Sequence, residues 1–188
     1  VQILLYTLTL LTTAWLGKAI SGRWQVGVIA TWLLGIPTVS MTLYTTVSMG
    51  GYGEMLLIGN LILLLTIDIS RNNARPVPRK QLLEWFALGF LGGFGLWVFG
   101  LTLVYSLPAI LFLAFRKARQ GTHYWVLLSA GIGFGALPWL VYAGQKGLAV
   151  VLRELGGGAI AGVESLGFWA QLLQHSLNFS LFGTTAVL

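Results

Sequence analysis

Leu61-Ile-Leu-Leu-Leu-Thr-Ile-Asp-Ile-Ser70, then Arg71-Asn-Asn-Ala-Arg-Pro-Val-Pro-Arg-Lys80, then Gln81-Leu-Leu-Glu-Trp-Phe-Ala-Leu-Gly-Phe90 is the stretch that decides the fold. An apolar run stops in a polar, basic loop, and a second apolar run starts at once. Asn72-Asn73, Pro76 and Pro78 give the stretch from Ser70 to Gln81 turn chemistry. Working outward, the same kind of boundary recurs at every second gap. Lys18 and Arg23 follow the first apolar run, and Arg116, Lys117 and Arg119 follow the fifth. The gaps around Ser48 to Glu54 and Val98 to Thr102 contain no Lys or Arg. Polytopic membrane proteins show this alternation because their basic loops stay on the cytoplasmic side. It predicts cytoplasmic loops at 18–23, 70–81 and 116–123 and an extracytoplasmic face carrying the other gaps.

Composition leads to the same class. Of the 188 residues, 56% are hydrophobic and 9% charged. Soluble domains carry roughly 25% charged residues, so this supply cannot cover a water-facing surface. The net charge of +6 sits in loops flanking apolar segments, which predicts anionic lipid headgroups as partners and no nucleic acid. The absence of cysteine excludes disulfides and thiolate chemistry.

The predicted fold is all-α, a polytopic transmembrane helical bundle of six passes. They run from Gln2 to Gly17, Trp24 to Val47 (interrupted by Pro37), Met55 to Ile69, Leu82 to Trp97, Leu101 to Phe115 and Tyr124 to Ala143 (with Pro138 near its outer end). A square crossing needs ~20 apolar residues, so the third to fifth passes look short. The fourth and fifth are expected to form a bent pair meeting at Trp97 to Gly100, near the outer surface. Residues 1–143 read as the membrane domain and 144–188 as an extracytoplasmic, interfacial segment. In the latter, Gly156-Gly157-Gly158 is a break, and Leu166, Trp169, Leu172, Leu173 and Leu177 recur at helical spacing, as in an amphipathic surface helix. The chain starts at Val1 and stops at Ala186-Val187-Leu188 in apolar sequence, which we read as a piece of a longer membrane protein.

The outer loop Met49-Gly50-Gly51-Tyr52-Gly53-Glu54 is the most informative local motif. Its glycines permit a tight turn and close approach to a ligand. Tyr52 has an amphipathic ring suited to the headgroup level, and Glu54 is the only acid before Asp68. One reading is a glycine turn with a helix-start Glu favoured by the helix dipole. The other is a substrate-binding element formed by Gly51, Tyr52 and Glu54, with Trp97 and Trp139 on the same outer face.

Other polar residues have plainer readings. Asp68 is expected to pair with Arg71, one helical step away, and Glu84 follows Lys80 by four residues at a helix start. Asn60 sits mid-pass, where its amide should bond to a neighbouring helix. Gly89 with Gly93, and Gly131 with Gly135, form small-xxx-small patterns that allow close helix approach. Glu164 and His175 fall in the outer segment as ordinary polar-face residues, and Asn178-Phe179-Ser180 matches a glycosylation sequon. No cluster has metal-ligand spacing.

Three stretches carry a family resemblance. Gly35-Ile36-Pro37 precedes Gly50-Gly51-Tyr52-Gly53-Glu54. Leu88-Gly89-Phe90-Leu91-Gly92-Gly93-Phe94-Gly95-Leu96-Trp97 is followed by Leu107-Pro108-Ala109 and basic residues. The third is Gly133-Phe134-Gly135-Ala136-Leu137-Pro138-Trp139-Leu140-Val141-Tyr142. Together they resemble the middle of C-type (GT-C fold) membrane glycosyltransferases, near the family 39 protein mannosyltransferases and the aminoarabinose transferases of bacteria. The resemblance implies a bacterial plasma-membrane enzyme that moves a sugar from a polyprenyl-phosphate donor to an acceptor on the extracytoplasmic face. It implies an inverting displacement at the anomeric carbon, with a carboxylate as base and the lipid phosphate leaving. In that family the catalytic acid lies in an early outer loop; no matching acid precedes Glu54, so the catalytic residue is expected upstream of Val1. Glu54 would then orient sugar hydroxyls or hold a divalent cation beside the phosphate. Two rivals stand beside it: a transporter or channel module, since broken helices line transporter sites, and a non-catalytic membrane scaffold.

Overall fold

The computed structural model describes residues 2–36, 51–71, 79–117, 121–148 and 150–151. Pro37 and the rest of the second pass, Met49-Gly50, the loop at 72–78, and the outer segment with Glu164, His175 and the sequon lie outside the described residues. The chain divides into two compact units, Val1–Leu140 and Val141–Leu188, and the architecture below is that of the first.

The fold is all-α. Helices α1 (Gln2–Ser21), α2 (Trp24–Gly35), α3 (Tyr52–Arg71) and α4 (Arg79–Val98) are followed by a 3-10 turn at Gly100–Thr102. Then come α5 (Leu103–Lys117), α6 (Thr122–Gly135) and α7 (Leu137–Lys146). Among the described residues, four helices are long and apolar enough to cross a membrane: α1, α3, α4, and the 3-10 turn with α5. Helices α6 and α7 add a fifth if their 61° bend is one broken span. The chain is an integral membrane protein.

The expected short passes are corrected here. Helices α3 and α4 are 20 residues each, and Gly100–Lys117 is 18. Their helical backbone continues past the apolar run through Tyr52, Arg71, Arg79 and Lys80. Such side chains keep an apolar stem in the interface while the polar tip reaches water, so they lengthen a span without breaking it. The fourth and fifth passes are accordingly two separate spans. Phe99 breaks between them in an extended conformation (φ −161°), and its carbonyl accepts from the Thr102 amide at 2.9 Å.

Contacts fix the helix directions. Tyr6 donates to the Leu34 carbonyl at 2.6 Å and Thr31 to that of Leu10 at 3.3 Å, so α1 and α2 are antiparallel. Gly22 (φ +75°) turns the chain between them. Asn60 bonds to Thr12 and Thr13, and Arg71 donates to the Ala19 carbonyl, so α3 runs parallel to α1. Gly51 meets Val98 at one end, and Lys80 meets Asp68 at the other, so α4 returns antiparallel to α3.

Helix α6 runs parallel to α4, and the two backbones touch. A Cβ added at Gly89 would collide with the Leu128 carbonyl, and at Gly93 with that of Ile132. Reciprocally, Gly131 faces the Phe86 carbonyl and Gly135 that of Phe90. This is the pairing expected of the two small-xxx-small patterns. The core then gathers from four helices: Ile58, Ile62 and Ile69 from α3, Trp85 and Leu88 from α4, Ala109 and Leu113 from α5, and Tyr124 and Leu128 from α6.

One consequence positions the polar chemistry. Lys18, Arg71, Arg116 and Lys117 close the last turns of α1, α3 and α5, where cations complement the helix dipole. Arg23 precedes α2, and Arg79 and Lys80 open α4. These seven basic residues gather at one end of the bundle, and the Gly51 to Glu54 segment lies at the other.

Candidate functional site

At the end away from the basic residues, a cavity of about 640 Å³ opens between α1, α3 and α4. Its walls are Leu5 from α1, Gly51, Glu54, Leu57 and Ile58 from the start of α3, and Phe94, Trp97 and Val98 from the end of α4. The volume falls in the ~300–1,000 Å³ span of small-molecule sites.

The local sequence explains how the wall is built. Gly51 has φ +82°, a left-handed conformation in which L side chains are strained. Its carbonyl accepts from the Met55 amide at 2.9 Å, which starts α3. A Cβ at this position would sit 3.0 Å from the Val98 carbonyl oxygen, so glycine also lets the end of α4 approach. Tyr52 packs its ring on Phe99, with centroids 4.6 Å apart. Glu54 then falls in the first turn of α3, half-buried, with Leu57 and Ile58 one turn deeper. Trp97 is exposed beside Phe94, with ring centroids 5.5 Å apart.

Of the residues singled out from sequence, Gly51, Glu54 and Trp97 meet around the cavity. Tyr52 is at the same end but packs on Phe99 and does not line the cavity. Trp139, half-buried on α7, does not line it either. Leu5, Leu57, Ile58, Phe94 and Val98 had no distinguishing signal, being ordinary apolar residues in apolar runs. Among the described residues, Glu54 is the only ionisable one in the lining, and no hydrogen bond or ion pair engages its carboxylate there. A divalent cation needs about six oxygen ligands. Glu54 would supply one of them, the others falling to water or substrate phosphate oxygens, and no group of three His, Asp or Glu converges among the described residues.

Beneath the cavity lies a polar knot. The Asn60 amide donates to the Thr9 carbonyl at 3.3 Å and to the hydroxyls of Thr12 and Thr13 at 3.1 and 2.9 Å. The interhelical bond expected of Asn60 is therefore present, and it ties α1 to α3.

The opposite, basic end holds a second polar group. Asp68 does not pair with Arg71, as expected from spacing; it meets Lys80 at 3.3 Å. Arg71 instead turns to the Ala19 carbonyl of α1, and the first turn of α4 brings Lys80 beside Asp68. The same ammonium lies 3.1 Å from Glu84, whose side chain is only 8% exposed. Gln81 and Trp85 are buried next to it on α4, and Tyr124 donates to Gln81 Oε1 at 3.3 Å. The amide nitrogen of Gln81 and the indole nitrogen of Trp85 have no hydrogen-bond acceptor among the described residues. A buried polar face at this helix start was missed; Gln81, Glu84 and Trp85 at spacings of three and four were its signal.

No known family model matches this sequence, and neither a curated protein nor a solved structure shows significant similarity to it.

Proposed function

We propose that this chain is part of a membrane glycosyltransferase, and that the cavity at Glu54 binds an amphiphilic substrate of transfer from a polyprenyl-phosphate sugar. The observation that carries the reading is the cavity itself: apolar walls that suit a lipid chain, and one carboxylate near the mouth that suits hydroxyl or amine groups. The resemblance of the glycine- and aromatic-rich stretches supports the reaction class. In it, Glu54 accepts hydrogen bonds from the substrate headgroup, Gly51 keeps the mouth open, and Trp97 offers a ring face to a sugar.

The same reading puts the cavity on the extracytoplasmic face and the basic end against anionic lipid in the cytoplasmic leaflet of a bacterial plasma membrane. The chain contains no cysteine, so single introduced thiols report sidedness cleanly. Tyr52→Cys should react with an impermeant maleimide in intact cells, and Gly22→Cys only after permeabilisation; the reverse pattern inverts the topology.

The decisive test is transfer from radiolabelled polyprenyl-phosphate sugars by the full-length enzyme in proteoliposomes. Turnover that falls in Glu54→Gln at unchanged protein level supports the reading. Wild-type turnover and donor affinity in that variant remove Glu54 from it. The second reading, a transporter module, draws on the 61° break between α6 and α7. Solute uptake into vesicles with no transfer from any lipid-linked sugar would put it first.

A further inference from the structure

We infer that the cavity selects a long-chain amphiphile with a positively charged headgroup, an alkylammonium over an alkyl phosphate. The inference rests on the reading of this cavity as a substrate site and names the charge of what enters it.

The argument is one of charge placement. The cavity offers a lipid chain the side chains of Leu5, Leu57, Ile58, Phe94 and Val98. Among the described lining residues, the single charge it offers a headgroup is the Glu54 carboxylate, half-buried and engaged by no hydrogen bond or ion pair there. A carboxylate partly removed from water is stabilised most by a cation that also donates hydrogen bonds. An ammonium does both. A phosphate would bring like charge to the same place, with no counter-charge among the described lining residues.

The nearest basic residue on the same helix is Arg71, 17 residues along α3, or roughly 25 Å at ~1.5 Å per residue. Its guanidinium is already donating to Ala19, and Lys80 is held between Asp68 and Glu84. The basic residues of α1 to α5 are therefore at the wrong end to neutralise a phosphate in the cavity. Trp97, exposed beside Phe94 in the cavity lining, adds an indole face, the aromatic surface that attracts cations most. In a transfer reaction, the amine-bearing substrate would occupy this cavity, and the phosphate of a donor would be held by other groups.

Isothermal titration calorimetry on the protein in phosphatidylcholine nanodiscs tests this, with empty nanodiscs subtracted. The probes share one chain and differ in headgroup: octylammonium, octyl phosphate (with and without Mg²⁺) and octyl glucoside. Octylammonium should bind ~10-fold or more tightly than octyl phosphate, the scale of one charge-assisted hydrogen bond. Glu54→Gln should bring the two within about twofold of each other. Octyl phosphate binding as tightly as octylammonium, with or without Mg²⁺, overturns the inference. So does octyl glucoside matching octylammonium, or a preference that survives Glu54→Gln. In those cases, the cavity remains a ligand site of another selectivity. If none of the probes binds above empty nanodiscs, or if Leu57→Trp binds them as well as wild type, the cavity reading fails and takes the inference with it. Should Glu54→Gln not assemble, the wild-type ranking of the three headgroups decides alone.

Discussion

The α4–α6 interface and the α1–α3–α4 junction are both helix contacts in one bundle, and they are built on opposite rules. At α4–α6, four glycines face four backbone carbonyls, so main chain meets main chain and there is no space to fill. At the junction, Leu5, Leu57, Phe94 and Trp97 stand between the helices, and a cavity of about 640 Å³ remains. In a bilayer, apolar side chains gain little by leaving lipid for each other, so tight association depends on close backbone approach and interhelical hydrogen bonds. The first interface uses the former throughout. The junction is hydrogen-bonded at Asn60 and, toward the basic end, from Arg71 to Ala19 and from Lys80 to Asp68, while at its other end a cavity remains. Rigidity and ligand access are thus assigned to different faces of the bundle, with α4 shared by both.

Adding bulk at the closed interface should give the largest effect. Gly93→Leu or Gly131→Leu puts a side chain where backbone carbonyls now sit, and neither helix can yield without losing the other glycine contacts. The expected loss is at or above the upper end of the ~1–3 kcal/mol typical of overpacking, seen as collapse of the monodisperse peak and melting temperature in detergent. Gly133→Leu is the control on the same helix, because nothing lies within 4 Å of a Cβ there. It should stay within about 0.5 kcal/mol of wild type. Equal damage from Gly133→Leu and Gly131→Leu would break the distinction between a packed face and a lipid-facing one.

Lys80→Met comes next. It leaves Glu84, nearly buried, without its cation. Removing one partner of a pair costs more than removing both, because the uncompensated charge stays behind. The single variant should therefore melt lower than Arg79→Met, and the double variant Lys80→Met with Glu84→Met should recover part of the loss. No recovery would mean that Lys80 matters through Asp68 alone. Asn60→Leu should follow with a loss of about 0.6–1.7 kcal/mol, the measured scale of hydrogen bonds between membrane helices. Thr9, Thr12 and Thr13 soften the loss, since their hydroxyls already donate to carbonyls on their own helix.

The open and closed faces differ in how much of them was readable from sequence. The closed face was readable, because Gly89, Gly93, Gly131 and Gly135 are small residues four apart and only a second backbone exploits that spacing. The end-to-end charge asymmetry was readable too, since Lys and Arg mark the boundaries of apolar runs wherever they occur. Asn60 declared its need for a partner by being an amide amid leucines. The cavity wall was readable only in part. Gly51 and Glu54 stand out locally, but Leu57 and Phe94 become wall residues only through how α1, α3 and α4 are placed around one space, a property of three helices together. Asp68 was misassigned for the same reason: spacing along α3 offers Arg71, while the return of α4 supplies Lys80 in space. Local periodicity reports which partners a residue has on its own helix and says little about competition from the next one.

The smallest stability effect should come from adding bulk where the bundle is already open. Leu57→Trp enlarges a wall residue of the cavity, so the added ring can occupy space that no side chain fills. Overpacking costs arise from forced rotamers and backbone shifts, and neither is required here. Stability should remain within about 0.5 kcal/mol of wild type, while binding of an octyl-chain amphiphile is lost. That pairing of outcomes separates the two faces most directly: the same increase in bulk breaks the protein at Gly93 and silences only the cavity at Leu57. A melting-temperature loss at Leu57→Trp as large as that at Gly93→Leu would mean the junction closes in the membrane, and that α1 then packs on α3 and α4 as tightly as α6 packs on α4.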